Sequence, residues 1–297
     1  MLKLSKCKIC ASQKIVVIKE YVATPKLDAT WEQAFQTALQ GKESVSIRLF
    51  LCFSCGFVFY GDVLDNMELE MLYSEEHRYT KAEISATKPG RVWELQKMSD
   101  FVTQHIAKKR IHEALDVGAG DFVALQKIVT CLPGVHFSAI DPCYDQATFG
   151  NITVFQTMLE KFDCSKQYDL VMAVHVLEHV GDLHAFMSQV KKLTREYLYI
   201  EIPFQVGPGL FLSRGVNAQH INYFTPGTLK TLLGYHGFEV ESEEFSTNGF
   251  RYNGMPGMIR ILAKKREGGE VARKVNTVLV SIYYLLSPVI FLKSKFF

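Results

Sequence analysis

The chain has 297 residues, 48% of them hydrophobic and 22% charged, with a formal net charge of +2. That length admits one full α/β domain and a smaller second unit. The near-neutral balance gives no basic face of the kind nucleic acid demands, and "MLKLSKCKICAS" carries no apolar run of the signal-peptide type, so a cytoplasmic protein is expected.

Residues 1–62 hold two β-rich runs, "KIVVIKEYV" and "SVSIRLFLCFSCGFVFY", and two Cys-x-x-Cys pairs. Cys7 and Cys10 form the first pair, Cys52 and Cys55 the second, with 41 residues between Cys10 and Cys52. Each pair sets two thiolates on one side of a knuckle. Two knuckles complete a tetrahedral sulfur site, which predicts structural zinc with no open coordination position. Cys131, Cys143 and Cys164 lie singly and read as small buried apolar residues.

Residues 63–110 read as helical, first "NMELEMLY" and then the longer amphipathic "RVWELQKMSDFVTQHIAKK". From 111 to 266 the pattern alternates. "IHEALDVG", "VHFSAIDP", "ITVFQ", "YDLVMAV" and "YLYIEIPF" are strands, while "FVALQKIVTCL", "LHAFMSQVKKL" and "TPGTLKTLLGYH" are helices, the last capped by Thr225 with Pro226 at its first position. "GFEVESEEF" and "GMIRILAKK" are two late strands with no helix between them. This order predicts a mainly parallel α/β sheet covered on both faces, with an antiparallel edge.

Within "ALDVGAGDF", Gly118 and Gly120 can take positive φ on either side of Ala119 and admit a ligand to the main chain, with a helix N-terminus directly after. Residue 123, where a dinucleotide fingerprint has its third glycine, is valine. The next strand ends in Asp141, where a carboxylate would grip a ribose through its two hydroxyls. His175-Val-Leu-Glu178-His179 matches a metalloprotease motif. That motif requires a helix, whereas here it follows the strand "YDLVMAV", so a turn at the carboxyl edge of the sheet is expected, where such sheets bind ligands.

"LDVGAGDF", "AIDP", "YDLVMAVHVLEHVGD" and "LYIEIPF", in that order, resemble class I S-adenosylmethionine-dependent methyltransferases over roughly residues 90–265. The resemblance implies their Rossmann-like sheet. It places Asp116, Gly118, Ala119 and Gly120 on the methionine side of the cofactor, Asp141 on its ribose, and Met158 and Leu159 beside its adenine. His175 would border the cofactor, and His179, in the "EHV" element, would stand at the substrate mouth as a catalytic candidate. The cysteine module, the tyrosine-bearing "LYSEEHRYT" and the segment "QHINYF" resemble the first two domains of bacterial sugar C-methyltransferases acting on nucleotide-linked deoxysugars. Those enzymes carry a Glu-His pair before "-x-x-Tyr-Phe", then a further C-terminal domain. Here the pair reads Gln219-His220, and the chain stops short of that domain. The resemblance implies His220 as a second catalytic candidate and Tyr79 and Tyr223 as substrate contacts, with a sugar or glycan as acceptor and either oxygen or carbon as the methylated atom.

Residues 267–297 form an apolar tail. From Val278 to Leu292 only Ser281, Ser287 and Pro288 interrupt the run, and Arg273, Lys274, Lys293 and Lys295 flank it. Fifteen helical residues reach about 22 Å against a hydrocarbon core of about 30 Å. The run could lie at the inner face of an anionic membrane, or fold back on the domain or a second subunit. The rival readings are an RNA methyltransferase, which the balanced charge disfavours, and a non-catalytic scaffold docked on membranes by this tail.

Overall fold

The computed structural model describes residues 2–23, 45–63, 89–142, 148–163, 165–206, 220–246 and 257–267. "NMELEMLY", Tyr79 and the tail from 268 lie outside the described residues. Strands β1 (Leu2–Lys3), β2 (Ile15–Ala23), β3 (Val45–Cys52), β4 (Val58–Tyr60) and β5 (Asp62–Val63) open the chain. Helix α1 (Pro89–Phe101) runs into one wide π-turn, Val102–Ile106. There follow β6 (Glu113–Val117), α2 (Val123–Cys131), β7 (His136–Ile140), β8 (Thr148–Phe149), β9 (Ile152–Phe155), β10 (Tyr168–Val174) and α3 (Leu183–Leu193). The last elements are β11 (Thr194–Phe204), β12 (Asn222–Tyr223), α4 (Pro226–Tyr235), β13 (Phe238–Ser246) and β14 (Gly257–Lys265).

The main sheet runs β13-β14-β11-β10-β6-β7-β9-β8. Strands β9, β7, β6, β10 and β11 are parallel, and β14 and β13 close one edge antiparallel, as the sequence pattern predicts. All seven residues of β10 are buried, as a strand covered on both faces must be. β13, at the edge, alternates instead. In α3 the residues Leu183, Phe186, Met187, Val190 and Leu193 recur at helical spacing and are buried, and the Asp182 side chain caps the helix by accepting from the N–H groups of His184 and Ala185. The chain leaves β6 in one direction across the sheet and returns to β10 on its other side. The carboxyl ends of β6 and β10 therefore flank the topological switch point, where such sheets open a ligand crevice.

The second sheet, β12-β4-β3-β2, is antiparallel. Its fourth strand comes from far along the chain: β12 pairs with β4 through Asn222↔Phe59 and Tyr223↔Val58. Residues 1–62 thus share a sheet with a strand of the later α/β part. Phe57 packs between Phe59 at 5.6 Å and Phe224 at 5.0 Å, continuing the apolar core across the junction.

One charged ladder crosses the otherwise apolar edge of the main sheet. Arg260 of β14 is fully buried and registers against Glu201 of β11 on one side and Glu244 of β13 on the other. Its Nε donates to Glu201 Oε2 at 2.7 Å and its Nη1 to Glu244 Oε1 at 2.6 Å. The Tyr199 hydroxyl donates to the same Glu201 oxygen at 2.7 Å. Removing the guanidinium takes from buried Glu201 its closest cationic partner and breaks the ladder. Arg260→Ala is expected to cost about 3–5 kcal/mol, read as a lowered midpoint in urea denaturation.

Candidate active site

The glycine turn begins where β6 ends. Gly118 stands at φ +75°, and a Cβ there would meet Val176 Cγ2 at 2.8 Å, so both the backbone and the space demand glycine. Its N–H donates to Ile140 O at 2.8 Å, which folds the turn over the end of β7. Gly120, at φ +56°, donates its N–H to Asp141 Oδ2 at 2.8 Å. Phe122 also takes positive φ, at 61°, and its ring is locked by stacking on Phe149 at 4.7 Å. Beneath the turn Asp116 is buried, and its Oδ1 has no hydrogen-bond partner among the described residues. Burial and the neighbouring Asp141 push its carboxyl up to about 7. A buried acid with an unmatched oxygen beside a positive-φ turn fits a cationic ligand group. S-adenosylmethionine offers such a group in its α-ammonium, and Asp141, expected at the ribose, is buried just beyond β7 against the same turn. Leu159 is buried at the start of a short 3₁₀ turn and Met158 half-buried before it, both just beyond β9.

Past β10 the chain turns sharply. His175 has φ +58°, and residues 177–179 form a turn rather than the helix a metalloprotease would need. The His175 ring sits among three carboxylates: Nε2 is 2.7 Å from Glu94 Oε1 and 3.8 Å from Glu201 Oε1, and Nδ1 is 3.4 Å from Glu178 Oε1. Burial alone would lower its pKa, but Glu178 and Glu94 override that and push it up to about 10. Glu178 is 1% exposed, and neither carboxylate oxygen has a hydrogen-bond partner among the described residues, so its compensation is ionic.

His179 and His220, from separate loops, meet edge to face with ring centroids 4.8 Å apart. Donor atoms of Glu178, His179 and His220 all lie within 4.8 Å of one another. His220 Nδ1–H donates to Gln205 Oε1 at 2.7 Å, which leaves Nε2 as the acceptor. Burial first, then the neighbouring His179, push His220 down to about 4 despite the pull of Glu178. The imidazole is therefore neutral at physiological pH.

The four cysteines converge. Cys7 Sγ lies 3.6 Å from Cys55 Sγ and Cys10 Sγ 3.5 Å from Cys52 Sγ, close to the edge of about 3.8 Å expected for a tetrahedron of sulfurs around zinc. The N–H groups of Ile9 and Ser54 point at Cys7 and Cys52 sulfurs at 3.4 Å, as knuckle turns do. These thiolates could hold a metal ion. Cys131, read as a buried apolar residue, is half-buried and close to Ser99 Oγ at 3.0 Å. Tyr223, expected at the substrate, is only 4% exposed, with its hydroxyl donating to Tyr60 at 3.1 Å in the seam between the two sheets. The sequence reading missed Glu94, Glu178, Glu201, Gln205 and Arg260. Of these, Glu178 stood in plain view inside the His-x-x-Glu-His run, and Glu201 and Arg260 were single charges inside apolar strands.

A switch-point crevice, a glycine turn and a paired acid below it define a class I α/β enzyme for a nucleoside cofactor. The methyltransferase-domain family matches residues 75–243, more than half of the chain. The chain belongs to that family and is an S-adenosylmethionine-dependent methyltransferase. No curated protein matches it. The fold is shared with the 1,6-didemethyltoxoflavin-N1-methyltransferase of Burkholderia thailandensis, at TM-score 0.50 and 17% identity over 71% of this chain and 96% of that one. The magnesium protoporphyrin IX methyltransferase of Synechocystis PCC 6803 aligns at TM-score 0.44 and 17% identity, over 59% and 84%. An N-methyltransferase of Bradyrhizobium japonicum WM9 aligns at 0.46 and 10%, over 64% and 95%. Among the described residues no helix is long and apolar enough to cross a membrane.

Two outcomes follow for the cofactor. Gly118→Ala is expected to abolish calorimetric binding of S-adenosylhomocysteine while the near-ultraviolet dichroism stays native. Because Asp116 is protonated below about pH 7 and must ionise to meet an ammonium, affinity is expected to rise as pH is raised through that value. Asp116→Asn removes the slope.

Proposed function

We propose that this methyltransferase acts on a sugar or glycan, nucleotide-linked or lipid-linked, with zinc held structurally by Cys7, Cys10, Cys52 and Cys55. The observation that carries the reading is the meeting of His179 and His220 beyond the carboxyl end of β10, with His179 on the turn whose Val176 adjoins Gly118. S-adenosylmethionine, when bound, supplies an activated methyl group, so the protein must chiefly align the acceptor and take its proton. His220 Nε2 is suited to that task, with Gln205 fixing its tautomer. The proton taken from a sugar hydroxyl, or from carbon beside a carbonyl, ends on Nε2 as the acceptor's electron pair forms the bond to methyl and the methyl–sulfur bond breaks, its pair leaving on the sulfur of S-adenosylhomocysteine. Glu178, which raises the basicity of His220, supports the imidazolium that results. The apolar tail at 267–297 suits an acceptor presented at a membrane surface, as in polysaccharide assembly.

The test is a screen of nucleotide-linked and lipid-linked sugars with methyl-labelled S-adenosylmethionine, in which label entering RNA alone would overturn the acceptor class. His220→Asn is expected to lower turnover about 10²–10⁴-fold with cofactor affinity unchanged. Since His220 lies near 4 instead of its usual 6.5, kcat/KM for the acceptor at saturating cofactor is expected to stay flat well below pH 6.5 and to fall only toward pH 4. A fall centred on 6.5 would identify a different base.

A further inference from the structure

The first cysteine knuckle reaches the turn that bears Glu178 and His179 through Lys8. Lys8 lies between two sulfur ligands of the first knuckle, and it is only 9% exposed. Lysines are almost never buried unless paired. Its Nζ donates to Asn222 Oδ1 at 2.6 Å and to Val180 O at 3.1 Å, both on the far side of the junction. Asn222 is 2% exposed and uses its other groups on the same turn, its Nδ2 donating to Leu177 O and to Val180 O, each at 2.8 Å. The backbone N–H groups of Ile221 and Asn222 donate to Glu178 O at 2.8 and 3.1 Å. The turn that presents Glu178 and His179 is thereby fastened to the segment that presents His220. A second point of attachment adjoins the first: His184 Nε2–H donates to Ile9 O at 2.9 Å.

We infer that Lys8 is a positioning residue, a strap through which the four-cysteine site sets the geometry of the His179–His220 pair. The inference rests on the reading of those histidines as the catalytic pair. A divalent ion bound by four thiolates carries net negative charge. An ammonium held in the same knuckle compensates it and is drawn into place when the metal orders the knuckle. Without the metal, Cys7 to Cys10 lose what fixes their turn, and Lys8 loses its station against Val180 and Asn222. The methyl donor's own contacts, at Asp116, Gly118 and Asp141, lie on the other strands and are spared. The strap therefore governs the acceptor chemistry and leaves cofactor binding alone.

The experiment uses the full zinc-loaded chain labelled at its histidine rings. Lys8→Met is expected to retain zinc and bind S-adenosylhomocysteine as the wild type does, while the ring resonances of His179 and His220 move and the tautomer of His220 is no longer fixed. Turnover on an accepted sugar falls about 10–100-fold, as for other residues that orient a ligand from behind, with KM for the methyl donor unchanged. Unmoved resonances for both histidines would overturn the strap. If Lys8→Met does not hold zinc, Lys8→Gln decides in the same way, because it keeps a polar head in the knuckle but is too short to reach Val180 and Asn222 as the ammonium does: moved rings with zinc retained support the strap, unmoved rings sink it. Moved rings in a protein that methylates no sugar would leave the strap standing and remove the acceptor reading instead.

Discussion

The site depends on a buried guanidinium. Arg260 binds Glu201 and Glu244 across three adjacent strands, and Glu201 also approaches His175, whose N–H donates to Glu201 O at 2.8 Å. A buried charge is tolerable only where others answer it. Here the series runs from Glu244 through Arg260 and Glu201 to His175, Glu94 and Glu178, alternating in sign for most of its length. It ends at a residue held at positive φ, a backbone state that the ring's three carboxylate neighbours make affordable. From that residue the turn carrying Glu178 and His179 departs. The aim of the catalytic candidates is thus fixed by electrostatics deep in the sheet, well away from the crevice they face.

The same turn is gripped from the opposite side by Asn222 and Lys8. Two independent constraints, one ionic and one of hydrogen bonds to backbone carbonyls, converge on five residues, 176–180. Such a segment has little freedom of its own. This suits a chemistry in which alignment supplies much of the rate. The cofactor half of the crevice is built differently. It is shaped by steric fit, with Gly118 against Val176 and Phe122 against Phe149, and carries one acid whose ionisation awaits a ligand.

Much of this architecture is legible in the sequence because period and composition speak directly at its strands. β10 reads as a buried run, α3 shows a helical stripe, and "GAGDF" demands glycine. Four cysteines in two knuckles announce their convergence without further help. What escapes is whatever depends on register. Glu201 and Arg260 each interrupt an apolar strand, and nothing local says they face one another, since only the antiparallel pairing of β11 with β14 makes them partners. Two residues, Asn222 and Tyr223, are too few to show any period, so their departure to the other sheet could not be read, nor that Tyr223 would be spent on the seam with Tyr60. His175 in a positive-φ turn likewise follows from its ionic surroundings, which the motif "HVLEH" does not reveal.

The strand that β12 lends to β4 has a consequence for how the chain is made. Domains emerge and fold from the amino terminus during synthesis. Here the edge of β4 stays unpaired until residue 223 has left the ribosome, more than half the chain's length later. An open strand edge is a template for stray pairing, and contacts so distant in sequence form slowly. The nascent protein therefore carries an exposed sheet edge through most of its birth, and the part of it that is translated first is among the last to be finished.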